Sequence, residues 1–134
     1  MKKILFLLLI STAAFAQPYN GTVIRGINYT VNAANSRTAE LTAGEIFTGT
    51  ITSVTTSEPN IQISVSSDQP LEVQLLQYND ASGLEPLPPI HFDVPVTLGL
   101  NQNVNLTGNY FQVKVQNKGI ASTTTFNLIT TTGF

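Results

Sequence analysis

Apolar and polar residues alternate along much of this chain with a period of two residues, and this alternation restricts the fold more than any other feature. Residues 61–66 read IQISVS, with the isoleucines and the valine on one face and polar side chains on the other. Residues 71–75 and 110–116 repeat the pattern. Successive side chains of a β-strand point to opposite faces, so such alternation is typical of strands with one buried side. No stretch has the spacing of an amphipathic helix, and the sequence predicts an all-β protein.

Turn-forming residues such as Gly44, Gly99 and Gly119 separate the predicted strands at short, regular intervals. Short strands at this spacing favour two packed sheets over alternating strands and helices. The predicted fold is a single antiparallel β-sandwich, jelly-roll or Greek-key-like, with about eight strands. The predicted strands cover residues 22–30, 38–41, 46–54, 61–66, 71–75, 90–98, 103–106, 110–116 and 125–130.

The first sixteen residues have the three parts of a secretory signal peptide. Met1-Lys2-Lys3 is cationic, residues 4–10 are apolar, and Ala14-Phe15-Ala16 ends in the small-x-small pattern of a cleavage site. The apolar run is shorter than the roughly 20 residues that a membrane-spanning helix needs. We therefore predict an exported protein without a stable membrane span in its mature form. The predicted organisation is a signal peptide at 1–16, a flexible N-terminal segment at 17–21 and a β-sandwich domain at 22–134.

The composition excludes several classes of function. There is no cysteine, so neither a disulfide framework nor a thiolate metal site can form. Only 10% of the residues are charged, with six Lys and Arg against eight Asp and Glu. Binding to nucleic acid requires clustered basic residues, so this activity is not expected. A polar, uncharged surface instead suits contact with copies of the same protein or with neutral glycans.

No residues with the spacing of a known catalytic motif are found in the sequence. The single histidine, His91, is interpreted as an ordinary edge or loop residue. We therefore predict a protein that is not an enzyme and has no catalytic residues, metal site or cofactor. Two alternatives stay open: the acidic residues could bind calcium if their loops met, or some of them could serve a small hydrolase. The candidates for calcium are Asp68, Asp80, Glu85 and Asp93.

Residues 79–89, which read NDASGLEPLPP, interrupt the alternation. Proline lacks the N–H group that a central strand needs, so the three prolines in this stretch predict a projecting loop. Loops of this length in compact domains are often functional. The predicted contact residues, all in or beside this loop, are Tyr78, Asn79, Asp80 and Glu85.

Several motifs recur in the same order as in a known module. Residues 41–50 read LTAGEIFTGT, residues 61–69 read IQISVSSDQ, and YFQV at 110–113 leads to Asn117 and then to TTFNL at 124–128. In this order the motifs resemble a small β-sandwich module of phage virion proteins, structural or tail-associated, over residues 41–128. The resemblance implies the fold more than a site. Of its aromatic positions, Phe47, Phe111 and Phe126 suit core anchors.

The leading functional hypothesis is a non-enzymatic structural or attachment module, exported and either virion-associated or displayed on a cell surface. Its expected partners are proteins or further copies of the chain in such an assembly, and a surface glycan is also possible. The alternative is a periplasmic or secreted β-sandwich domain that binds carbohydrate or calcium.

Overall fold

The computed structural model describes residues 30–54 and 60–133, which form nine β-strands and one short 3-10 helix. The predictions for residues 1–29, including the signal peptide and most of the first strand, lie outside the described residues. No helix among the described residues is long and apolar enough to cross a membrane. The strands are β1 (Thr30–Val31), β2 (Ile46–Thr48), β3 (Thr52–Ser53), β4 (Asn60–Ser67), β5 (Leu71–Tyr78), β6 (Pro86–Val94), β7 (Leu100–Asn105), β8 (Tyr110–Asn117) and β9 (Phe126–Gly133), with the 3-10 helix at Ala33–Asn35.

The strands form two antiparallel sheets, which confirms the predicted all-β sandwich. The four-stranded sheet has the order β1-β9-β4-β7, and the five-stranded sheet has the order β2-β8-β5-β6, with β3 also paired to β8. If β2 and β3 are counted as one interrupted strand, the first strand pairs with the last, the second with the second last, and so on inward. This nesting of antiparallel pairs is the jelly-roll arrangement.

The core lies between the sheets and is built by the inward-facing residues of the alternating strands. Ile61 and Ile63 from β4 and Val73 and Leu75 from β5 are all fully buried in one hydrophobic cluster. Phe111 and Phe126 are buried as predicted, whereas Phe47 and Phe92 pack half-buried against the margin of the core. Burial of an apolar side chain contributes about 1.5–3 kcal/mol, so these strands supply most of the stability.

The predicted strand at 46–54 is wrong in one respect, because it is broken into β2 and β3. Both parts pair with β8, but the register shifts by one residue between Thr48 and Thr52. The Gly49 N–H still donates to the Val113 carbonyl at 2.9 Å, and beside this bond the ladder has a gap. The Asn35 side chain enters this gap, where its Oδ1 accepts a hydrogen bond from the Val113 N–H at 2.8 Å. Its Nδ2 donates to the Thr50 carbonyl at 2.9 Å. The amide oxygen of Asn35 therefore takes the place of a strand carbonyl as the partner of the Val113 N–H.

Two further predictions are corrected. Residues 38–41 are not a strand: the preceding Arg37 forms an isolated bridge with Leu128, and the backbone of Leu41 is bound by Thr123 and by the Asn117 side chain. The proline-rich loop predicted at 79–89 is shorter than expected, because its last residues belong to β6. Since β6 is at the margin of its sheet, missing N–H groups there disturb the ladder less. The strand predicted at 90–98 accordingly lies earlier, at Pro86–Val94.

Candidate functional site

The loop that follows β5 is closed by one carboxylate. Asp80 Oδ1 accepts from the Glu85 N–H at 2.8 Å, and Oδ2 accepts from the N–H of Ser82 at 3.0 Å and from the hydroxyl of Ser82. Asn79 completes the loop by donating its N–H to the Glu85 carbonyl at 3.1 Å. Such turns, in which an Asp side chain binds the following backbone, are a common way to close a hairpin.

These contacts explain the electrostatics of Asp80. The hydroxyl of Ser82 and then the N–H of Glu85 hold the pKa of Asp80 below its usual value, since both donate to the ionised form. The carboxylate is thus occupied by its own loop. Of the four predicted contact residues, Asn79 and Glu85 have exposed side chains, and Asp80 acts in the turn.

Tyr78 lies at the end of β5 with its side chain half-buried on the outer face of the five-stranded sheet. Its hydroxyl donates to Gln112 Oε1 at 3.1 Å, while Gln112 Nε2 donates to the Gly49 carbonyl at 2.7 Å. On its other side, Gly83 packs so closely that a Cβ there would contact the Tyr78 ring and Ile51. The tyrosine is therefore fixed between the loop and the sheet.

The outer face of the five-stranded sheet gathers long polar side chains. In the pairing of β5 with β8, Glu72 lies opposite Gln116, Gln74 opposite Lys114, and Leu76 opposite Gln112. Residues that are directly opposite on antiparallel strands project to the same side, so these pairs form consecutive rows. We call this surface the polar face; it includes Ile46, Thr48, Glu72, Gln74, Leu76, Tyr78, His91, Asp93, Tyr110, Gln112, Lys114 and Gln116.

A shallow depression lies at the Glu72 end of the polar face. It is lined by Gln74, Gln116 and Lys114, with Glu72 at one end and Ile46 at its margin. The Ile46 side chain is 55% exposed, which places an apolar contact beside the polar groups. The depression thus offers amide donors and acceptors, one cation and one apolar group within a small area.

Glu72 is the most highly connected charge on the polar face. Its Oε1 accepts from Gln74 Nε2 at 2.6 Å, and its Oε2 lies 3.3 Å from Lys118 Nζ. His91 Nδ1 lies 3.5 Å from Glu72 Oε1. The hydrogen bond from Gln74 and the neighbouring Lys118 together hold the pKa of Glu72 below its usual value. Its negative charge is therefore largely balanced within the protein.

The four acidic residues considered for calcium do not converge. Asp68 precedes β5 and Asp80 follows it, so they lie at opposite ends of an eight-residue strand. Asp68 Oδ1 accepts from the Thr124 N–H at 2.9 Å, and hydrogen bonds from Thr124 hold its pKa down. Asp93 is on β6 at the Asp68 end, whereas Glu85 is at the Asp80 end. In residues 30–54 and 60–133 no three carboxylates or imidazoles are grouped as metal ligands would be.

The sequence pointed to the loop beside Tyr78 but missed most of the polar face. The available signal was the kind of polar residue in the alternation: the outward side of β4 carries only uncharged residues, Asn60, Gln62, Ser64 and Ser66, whereas β5 and β8 add Glu, Lys and Tyr to their Gln residues. Long polar side chains on two strands form one surface only if the strands are neighbours. The pairing of β5 with β8 joins residues far apart in sequence, and alternation alone does not reveal it.

Comparison with known proteins adds little to this description. No protein-family model matches the chain, and no curated protein matches it. Among solved structures, one described as "Crystal structure of PirA" has 10% sequence identity and a TM-score of 0.48, over 77% of this chain and 96% of that chain. A likeness of this strength carries no argument about function. The resemblance to a phage virion module therefore stays a prediction.

Proposed function

We propose that this chain is an exported, non-enzymatic attachment module, carried on a virion or displayed on a cell surface, that binds its target through the polar face. The observation behind the proposal is the grouping of Gln74, Gln112 and Gln116 with Tyr78 on one rigid sheet. Glutamine amides both donate and accept hydrogen bonds, and tyrosine adds contact area with little loss of conformational freedom.

The preorganisation of this surface supports a binding role. Gln112 is held by Tyr78 on one side and by the Gly49 carbonyl on the other, and Gln74 is held by Glu72. Side chains that are already fixed lose less entropy when a target binds. Strands also position side chains more accurately than loops do. The exposed Asn79 and Glu85 at the adjacent loop then form the margin of the same contact area.

A secreted carbohydrate-binding domain is the second candidate, and the same polar face favours it. Amide groups beside an apolar side chain match the hydroxyl groups and the C–H surface of a neutral sugar. The charge of Glu72 is offset by Lys118, and Lys114 and Asp93 add one charge of each sign to the same face, so the surface does not select a strongly charged ligand. Nothing in the geometry favours the calcium version of this candidate, because Asp68 and Asp80 are separated and engaged in turns.

Binding of the fluorescently labelled exported protein to bacterial cells and envelope fragments tests the proposal. The double substitution Gln74→Ala and Gln116→Ala is expected to weaken binding by at least about tenfold, since loss of two well-placed polar contacts costs about 1.4 kcal/mol or more. Gln62→Ala is the matched control, because Gln62 is on the outer face of the other sheet. Equal binding by all three proteins would exclude the polar face as the contact surface.

The nature of the target is tested on the same cells. Digestion of surface proteins should abolish binding if the target is a protein, whereas competition by free neutral oligosaccharides should abolish it if the target is a glycan. Export is tested separately by sequencing the N-terminus of the protein recovered outside the cytoplasm, which is expected to begin at Gln17. A chain that keeps Met1 and stays in the cytoplasm would contradict the proposed setting.

A further inference from the structure

The margins of the two sheets differ in how well they resist pairing with another strand. An edge strand presents unpaired N–H and C=O groups, and proteins usually block it with a short strand, proline, charge or a bulge. At one margin of each sheet the described strands are short, with two residues in β1, three in β2 and two in β3. The opposite margins are formed by the longer strands β6 and β7.

β6 is blocked in two ways. It carries Pro86, Pro88 and Pro89, which have no N–H group to offer. Its register with β5 also shifts, because Leu75 pairs with Ile90 but Gln77 pairs with Leu87. Pro88 and Pro89 thus form a bulge, which bends the edge and leaves few groups in line for a partner.

β7 has none of these features. Its six residues read LNQNVN, without proline or charge, and all six keep one regular register with β4. Among the described residues β4 is its single partner, so its other side is the free margin of the four-stranded sheet. An extended, regular and uncharged edge strand is a ready template for the addition of another strand.

We propose that β7 is a self-association edge, which pairs in antiparallel fashion with β7 of a second copy of this chain. The inference goes beyond the attachment function and does not depend on the polar face. A two-fold axis beside Gln102 places Gln102 opposite its own equivalent and Leu100 opposite Val104 of the second copy. The two four-stranded sheets then form one continuous sheet, with an isologous interface.

The alternation of β7 selects this partner and this register. Leu100, Gln102 and Val104 pair with the inward-facing Val65, Ile63 and Ile61, so they are on the core side of the sheet. The proposed register therefore joins half-buried apolar residues to each other and extends the core across the interface. It also stacks identical amides, which form hydrogen-bonded ladders when Asn- and Gln-rich strands pair with themselves. A one-residue slip would bring core-side residues opposite outward-facing ones.

The charge on the protein is compatible with a homodimer at this position. Two copies repel each other where like charges face, but β7 is uncharged and its outer side carries Asn101, Asn103 and Asn105. These residues lie beside Ser64 and Gln62 of β4, which are also neutral. Equal copies can therefore approach along this edge without a like-charge penalty.

Sedimentation of the exported protein over micromolar to millimolar concentrations tests the proposal. The unmodified protein should form a dimer, and Gln102→Lys and Gln102→Glu should each raise the dissociation constant at least about tenfold, because each places like charges opposite one another. An equimolar mixture of the two variants should restore a dimer, because opposite charges then meet. Asn127→Lys, which adds the same charge at an exposed position on the interior strand β9, should leave the dimer unchanged.

Three results would overturn the proposal. The first is an unmodified protein that stays monomeric at all concentrations, including the case in which residues 17–29 of the same chain cover β7. The second is a dimer that Gln102→Lys does not weaken. The third is a weakened dimer that the mixture of Lys and Glu variants fails to restore, since the self-opposed register requires that rescue. Gln102 is exposed, so these substitutions are compatible with the monomer fold.

Discussion

β6 has three prolines in its first four residues, whereas β7, which forms the corresponding margin of the other sheet, has none. The other margin of the five-stranded sheet consists of the short strands β2 and β3, and Asn35 fills the gap between them by binding the Val113 N–H of β8. Within residues 30–54 and 60–133 the five-stranded sheet thus has no long, regular edge strand, whereas the four-stranded sheet has one, β7. The comparison teaches that amides serve opposite purposes here. Buried Asn35 interrupts the pairing of β8 with β2 and β3. Exposed Gln102 leaves the outer side of β7 free to pair with another strand.

The largest effect is expected from Asn35→Ala. This substitution leaves the buried Val113 N–H without its acceptor and removes the hydrogen bond from Asn35 to the Thr50 carbonyl, so we expect a loss of about 3 kcal/mol in the free energy of unfolding. Asn103→Ala on the open edge should change it by less than about 0.5 kcal/mol. Denaturant titration of both variants provides the measurement. Similar losses at the two positions would show that the buried Asn35 amide stabilises the fold no more than an amide on the exposed edge.

A smaller loss is expected from Gly49→Ala. A Cβ at this position would collide with the Asn35 amide and with the Ala34 carbonyl. The Asn35 side chain would therefore have to move, at a cost of about 2 kcal/mol. Because both substitutions disturb the same contact, the double variant with Asn35→Ala should lose much less than the sum of the two. Additive losses of unfolding free energy in the same titration would show that Gly49 acts independently of the Asn35 side chain.

The prolines of β6 provide a test in the opposite direction. Pro88→Thr with Pro89→Thr, made in the Gln102→Lys background, should allow association through β6 while changing the free energy of unfolding by about 1 kcal/mol or less. The Gln102→Lys protein with its prolines intact is the control and should sediment as a monomer. If the proline-free variant also stays monomeric, the prolines are not what blocks this edge.

The smallest effect concerns Asp80, whose turn closes the hairpin between β5 and β6. Its pKa is lower in the folded protein than in the unfolded chain, so its contribution to stability is present above about pH 4 and is lost as the pH falls through the folded value. Asp80→Asn should therefore destabilise the protein at pH 7 but much less at pH 3. Denaturation midpoints at the two pH values measure this, and an equal difference at both would contradict the turn's dependence on the ionised carboxylate.

The strands with the clearest alternation were predictable, and those shaped by distant contacts were not. Residues 61–66 and 110–116 lie within β4 and β8, since one buried face leaves a local pattern. The break at 49–51 depends on Asn35, which is distant in sequence and gives no local signal. The prolines after Glu85 indicate only a missing N–H group. They do not reveal that the strand is at a margin, where this loss is tolerated.

The candidate site, like the fold, was predictable only where the sequence carries a local signal. Tyr78 was found because it borders a run of turn-forming residues, and its partner Gln112 was missed because the two meet only when β5 pairs with β8. The acidic character of Asp80 was visible in the sequence, but its role in the turn was not. A carboxylate becomes a ligand or a loop closure according to the N–H groups around it, and those are set by the folded backbone.

Amide hydrogen exchange, measured residue by residue at low and high protein concentration, is the most direct test of the difference between the two edges. We expect exchange of the outward-pointing N–H groups in Leu100–Asn105 to slow as the concentration rises, while exchange in Pro86–Val94 stays the same. Concentration-dependent protection in β6, or unchanged exchange throughout β7, would contradict the account of one blocked and one open edge.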